Sequence, residues 1–336
     1  MMNDDCSIKC VVSQNISLTL KGLFSILVII CHVRGEIDTL NGILIGKILT
    51  QFGYLAVSIF FFLSGYGIWK RSKESSHYLT TFLKNRVLSL YLQYVLVVFF
   101  YTILFLIRDR SVDLLLFLQS FLFGKTIVPY GWYFQTITVF YLVFYLACRV
   151  LKQKMRICGI AGALGLYTLV CILCKLPTTW YETSFAFLIG ILLVENEEKV
   201  ECISHRQVIE RCMGLFPLTV IAILLGTYKN LGILAVFFKM NSAVLFCLVV
   251  YYIAVVCSKI DNSIVAIFLK KLGKVSLEIY ALQGFVILFV MKPLIGSDNP
   301  ILFFILSIGF VICCAMIVHP VFKMIRKVVQ EPRSQR

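Results

Sequence analysis

Charge is scarce in this sequence. Of its 336 residues only 15% are charged, where a soluble domain carries roughly 25%, and 60% are hydrophobic. The mean hydropathy is +0.91. That shortage excludes a water-facing surface. The 13 cysteines sit mainly inside apolar runs, and the Cys171, Cys174 pair has no second pair to complete a zinc site, so packing is their expected role. No small-residue cleavage site follows the first apolar stretch, so that stretch is expected to stay as a span. There is also no internal repeat, low-complexity tract or linker, and residues 1–336 read as one domain with its core at about 16–323.

What the sequence has instead is apolar runs bounded by charge. A helix needs about 20 mostly apolar residues to cross a bilayer, because no water reaches the hydrocarbon to satisfy loose backbone groups. Ten such runs lie near 16–33, 48–69, 88–107, 131–151, 157–174, 180–194, 213–229, 233–257, 276–292 and 301–322. The fold class expected is therefore all-α, a polytopic transmembrane helix bundle of about ten spans. Val112 to Phe123 is too short to cross and reads as an interfacial or re-entrant helix, with a buried eleventh element as the alternative.

The net charge of +15 raises the question of nucleic acid, and its distribution answers it. With the N-terminus inside, 23 of the 32 Lys and Arg residues fall on inner segments and 9 on outer loops. This is the positive-inside bias of a membrane protein with both termini cytoplasmic. The bilayer is then the partner that the charge pattern implies, and no nucleic acid is expected.

Ionisable side chains inside spans are costly and mark functional candidates. These are Lys21 and His32 in the first span, Arg86 at the entrance of the third, Glu182, Glu278 and His319. Lys21 and His32 are eleven residues apart, which is about 16 Å of helical rise and close to a whole number of turns. They share a stripe. A neutral imidazole suits proton transfer from a hydroxyl at neutral pH, whereas snorkelling of Lys21 and an interfacial hydrogen bond for His32 are the plainer reading. Ser64, Gly65 and Tyr66 break an aromatic-rich span and either pack or line a cavity. Lys84 and Arg86 stand where a basic group could meet a phosphate, with snorkelling as the alternative. Glu278 follows Lys274 by four residues, which suggests an ordinary helical ion pair. Glu182 joins an aromatic belt, and His319 has no partner visible in the sequence. His77 and His205 lie in polar loops. Nothing in this set has the spacing of a metal site.

Several of these segments, in their order, resemble one family, the membrane-bound acyltransferases of family 3. Members open with a basic residue, ten intervening residues and a histidine, here Lys21 to His32. A glycine-valine, double-phenylalanine, serine-glycine segment follows, here Gly53 to Tyr66, then a basic run around Arg86. Trp132 and Tyr133 match a tryptophan-aromatic opening of the fourth span, Phe185 to Gly190 a phenylalanine-glycine span, and Leu272 to Tyr280 a late segment. The chain departs from the pattern at Lys21, often Arg; at Ser58, often acidic; at Ser89, often a second Arg; after Trp132, where glutamate is absent; and at Gln283, commonly histidine.

The resemblance implies an integral O-acyltransferase of a bacterial plasma (inner) membrane, moving an acyl group, acetyl in the first instance, from cytoplasmic acyl-CoA (acetyl-CoA) to a hydroxyl of a cell-surface glycan or lipid-linked sugar. It implies no permanently bound cofactor. His32 would be the proton-transfer or acyl-accepting residue, and Lys21 and Arg86 would meet the coenzyme's phosphates. Glu36, Ser64, Tyr66, Trp132, Tyr280 and Gln283 are candidate cavity or orienting residues. Two other classes remain open on sequence alone. A transporter or flippase of a glycan precursor would show inverted repeats or a proton-relay carboxylate, and a sensor would have lost the activity.

Overall fold

The computed structural model describes residues 8–9, 11–38, 43–75, 77–108, 111–197, 202–257, 263–296 and 299–330. Its helices in chain order are α1 (Gln14–Gly35), α2 (Leu44–Glu74), α3 (Tyr78–Phe82), α4 (Ser89–Ile107), α5 (Leu114–Gln119), α6 (Trp132–Val150), α7 (Arg156–Leu173) and α8 (Ser184–Glu195). Then come α9 (His205–Thr227), α10 (Ile233–Val256), α11 (Ile264–Lys274), α12 (Ser276–Gly284), α13 (Lys292–Ile295) and α14 (Pro300–Gln330). Two π-helical segments, Leu83–Leu88 and Phe285–Met291, join α3 to α4 and α12 to α13. The chain is an all-α polytopic bundle. Among the described residues nine helices are long and apolar enough to cross a membrane. Among the described residues the one β element is a two-residue antiparallel pair of Ile8–Lys9 with Cys202–Ile203.

The nine coincide with nine of the ten expected runs. The tenth, near 180–194, forms the 12-residue helix α8, about 18 Å long at 1.5 Å per residue. Sequence hydropathy overstated its regular length because Trp180, Tyr181 and Thr183 are apolar or buried but lie in a 3-10 turn and its exit. Val112–Phe123 does not cross: its helical part is the six-residue α5, started by Asp113, whose side chain accepts from the Leu115 amide.

The chain divides into two compact units that interleave in sequence. The first comprises 1–28, 47–74 and 164–276. Here α9 and α10 form a hairpin, and α10 carries the packing partners of α1 and α2. Phe24 meets Phe246 edge-to-face at 5.9 Å, the Tyr54 and Ser242 hydroxyls are 2.8 Å apart, and the Cys247 thiol donates to Ser58.

Helix α8 runs alongside α2 in the same direction. At one end Lys239 bridges them, 3.4 Å from Glu182 and over the Tyr54 ring. At the other, Glu195 accepts from Trp69 Nε1 at 2.9 Å and lies 3.4 Å from Lys73. From Tyr54 to Lys73 the axial rise is about 28 Å, close to the roughly 30 Å of a hydrocarbon core. The short helix with its flanks therefore keeps pace with a full-length one.

Between those ends the two backbones touch. A Cβ at Gly65 would collide with the Phe187 carbonyl, and one at Gly190 with the Phe62 carbonyl. Small residues permit such approach where apolar burial alone gives helices no reason to associate in lipid. Gly190→Ala is expected to destabilise the protein by about 1–3 kcal/mol through overpacking, read as a lower melting temperature in detergent. Gly214→Ala, facing open space on α9, should melt at or above wild type because alanine favours helix.

The second unit comprises 29–46, 75–163 and 277–336. Helices α4 and α6 stack Tyr94 on Phe134 at 5.3 Å, and α14 packs on α4 and on both π-helical segments. Between α5 and α6 the chain is held by Gln135, which accepts from the Gly124 amide at 3.0 Å and donates to Tyr94 Oη at 3.1 Å and to the Ser120 carbonyl at 3.2 Å. The Ser120 hydroxyl accepts from the Ile127 amide at 2.8 Å. These bonds fix a loop that ends at Pro129, Tyr130 and Gly131, directly before Trp132 opens α6.

Candidate active site

Within the second unit the end of α1, the α5–α6 loop and α12 meet around His32. The imidazole stacks on the Tyr130 ring with centroids 3.7 Å apart and planes 6° from parallel. Tyr130 adopts φ 63°, a left-handed conformation that a bulky side chain takes only where its surroundings enforce it. What enforces it is α12: the Tyr280 hydroxyl donates to the Tyr130 carbonyl at 2.5 Å, and Tyr280 is wedged against Tyr133 at 4.8 Å. A loop residue is thus strained into place over the histidine.

Gln283 lies one helical turn after Tyr280, on the same face of α12, and approaches closely enough to interact with His32. It is wholly buried, yet neither its Oε1 nor its Nε2 completes a hydrogen bond, and His32 Nδ1, equally shielded, lacks one too. Buried polar atoms are paired in roughly nine cases of ten. Among the described residues Gln283 is the one side chain with two such atoms unsatisfied.

The remaining expected residues are placed as follows. Glu36 is committed to Lys292, 2.6 Å away, and its charge bears on Tyr130. Trp132, at the first turn of α6, contacts Tyr133 edge-on. Arg86 lies in the π-helical segment before α4, where it interacts with Tyr78 and Tyr141; such one-turn widenings of a helix recur at functional sites. Lys21, Ser64 and Tyr66 belong to the first unit. Lys21 is half-buried on α1, three turns before His32. The Tyr66 hydroxyl accepts from the Val12 amide at 2.8 Å and donates to Glu197, and Lys70 reaches the same carboxylate. The structure therefore brings His32, Tyr280 and Gln283 together, and gives Tyr66 and Glu36 partners of their own.

Two expectations need correction. Glu278 does not pair with Lys274, and His319 does not lack a partner. Glu278 is fully buried and its Oε1 accepts from His319 Nδ1 at 2.8 Å and Arg326 Nη2 at 3.1 Å, both on α14. Lys274 ends the preceding helix and Glu278 lies in the next one, so the break at Val275 removes the single-helix spacing on which that pairing rested. Tyr130 was missed altogether; the Pro-Tyr-Gly run signalled a turn, but nothing local indicated what the ring would cover.

The acyltransferase domain family matches residues 17–319, a range that holds His32, Tyr130, Tyr280 and Gln283. The chain belongs to acyltransferase family 3. No curated protein and no solved structure gives a significant match. In this membrane acyltransferase the His32 imidazole sits half-buried and ring-stacked on Tyr130.

Proposed function

We propose that this acyltransferase moves an acyl group, acetyl in the simplest case, from acyl-CoA on the cytoplasmic side of a bacterial inner membrane to a hydroxyl of a cell-surface or lipid-linked glycan. The observation that carries the proposal is the His32 centre: an imidazole held by ring stacking beside a buried amide with unmet hydrogen-bonding capacity, within the family's domain. In this reading His32 takes the acceptor's hydroxyl proton as the oxygen attacks the thioester carbonyl. An alternative order passes the acyl group through a transient acyl-histidine. Lys21 and Arg86 are separate candidates for the coenzyme's phosphates, and both termini are cytoplasmic.

The test is acyl transfer from radiolabelled acetyl-CoA to endogenous glycan in membrane vesicles carrying the protein. Transfer above that of empty vesicles supports the reading. Movement of a labelled lipid-linked sugar across the membrane without transfer overturns it in favour of transport. Tyr130 supplies a second check, because its ring positions His32. Tyr130→Phe keeps the stack and the backbone carbonyl and is expected to stay near wild type. Tyr130→Leu frees the imidazole and should lower kcat about 10- to 100-fold, the range expected when a catalytic group drifts by an ångström or so. Equal rates for the two variants would remove Tyr130 from the site.

A further inference from the structure

We infer that Gln283 is a catalytic residue whose Nε2 donates a hydrogen bond to the thioester carbonyl oxygen as that oxygen becomes an oxyanion. The inference rests on the acyltransferase reading above and adds to it the group that receives negative charge.

The argument starts from unmet bonding capacity. An amide side chain offers two donors and two acceptor lone pairs. His32 lies within reach of one of these groups at most, and neither polar atom completes a hydrogen bond in the chain, so Gln283 weakens the fold relative to an apolar residue of the same shape and its remaining capacity points to a partner that is not part of the chain. The place is specific. Tyr280, on the same face of α12, is bonded to the Tyr130 carbonyl, and Tyr130 covers His32. Gln283 therefore faces the imidazole from a rigid helix whose next turn is the π-helical segment Phe285–Met291. A reacting carbonyl that lies between an acceptor oxygen deprotonated by His32 and the Gln283 amide would meet base and donor together.

The step balances. The acceptor O–H proton moves to His32, the hydroxyl oxygen bonds to the carbonyl carbon, and the carbonyl π pair moves to oxygen, where Nε2–H meets it. Collapse restores the C=O bond and breaks C–S, and the thiolate takes the proton back from the imidazolium. A donor aimed at the developing oxyanion in a water-poor site acts on the transition state more than on the bound substrate, and loss of one such donor costs about 10²- to 10³-fold in kcat.

Gln283→Met keeps length and removes both polar atoms. Measured in the same vesicles, it is expected to lower kcat about 10²- to 10³-fold with KM for acetyl-CoA within about twofold. It should also lose the extra affinity that wild type shows for trifluoroacetonyl-CoA, whose hydrated ketone mimics the tetrahedral adduct. Its melting temperature should equal or exceed that of wild type, because two orphaned buried atoms are gone. Gln283→Asn, which retains a donor, should recover part of the rate. A Gln283→Met protein that melts normally and keeps wild-type kcat overturns the assignment, as does one whose affinities for acetyl-CoA and the analogue fall equally. Absence of transfer by wild type itself overturns the acyltransferase reading instead.

Discussion

His32→Ala is expected to lower acyl transfer about 10²- to 10⁴-fold, the usual contribution of a positioned general base, while the protein still inserts and melts as a folded species. The expectation of folding has its own basis. His32 is half-buried, its Nδ1 satisfies no protein group, and its main packing contact is the Tyr130 face. Truncation therefore leaves no carboxylate or backbone group orphaned. If His32→Ala retains full transfer at wild-type abundance, the mechanism proposed here is wrong. A single turnover with labelled acetyl-CoA and no acceptor separates the two chemical orders. Label that remains on the wild-type chain and is absent from His32→Ala means an acyl-histidine; label that remains on neither means direct attack with His32 as base.

The spans were legible because crossing a bilayer imposes length and apolarity, which a linear sequence displays without knowledge of any neighbour. Helix α8 shows where that stops working. Its twelve residues suffice only because Glu182, Gly190 and Glu195 are matched along α2, and none of those matches is local. The same limit governs the site. His32 was visible as a rare polar group in an apolar run, and Gln283 through the family's late segment. Tyr130 was not, since its position over the imidazole depends on a loop threaded through Gln135 and strained by Tyr280. Glu278 illustrates the opposite error. The sequence presents Lys274 one turn away, whereas the actual partners lie 41 and 48 residues on, and a helix break between Lys274 and Glu278 cancels the local spacing rule.

Those partners make Glu278→Ala the substitution with the largest expected effect on stability. The carboxylate is fully buried, and His319 and Arg326 both bond its Oε1, tying the first turn of α12 to the second half of α14. Removing one member of a buried charge pair costs about 3–5 kcal/mol, because the group left behind keeps its desolvation penalty without its partner. Here the stranded groups are the His319 imidazole and the Arg326 guanidinium, each with 29% of its side chain exposed, so water recovers part of that and the lower end of the range applies. Glu278→Gln preserves an acceptor oxygen for both donors and gives up only the charge. Melting temperatures in detergent should therefore fall in the order wild type, Glu278→Gln, Glu278→Ala, and a Glu278→Ala protein as stable as wild type would show that the tie holds nothing. Activity should fall in the same order for a geometric reason. Helix α12 carries Tyr280 and Gln283 within the next turn and a half beyond Glu278, so a first turn released from α14 loosens the clamp on Tyr130 and, with it, the position of the imidazole.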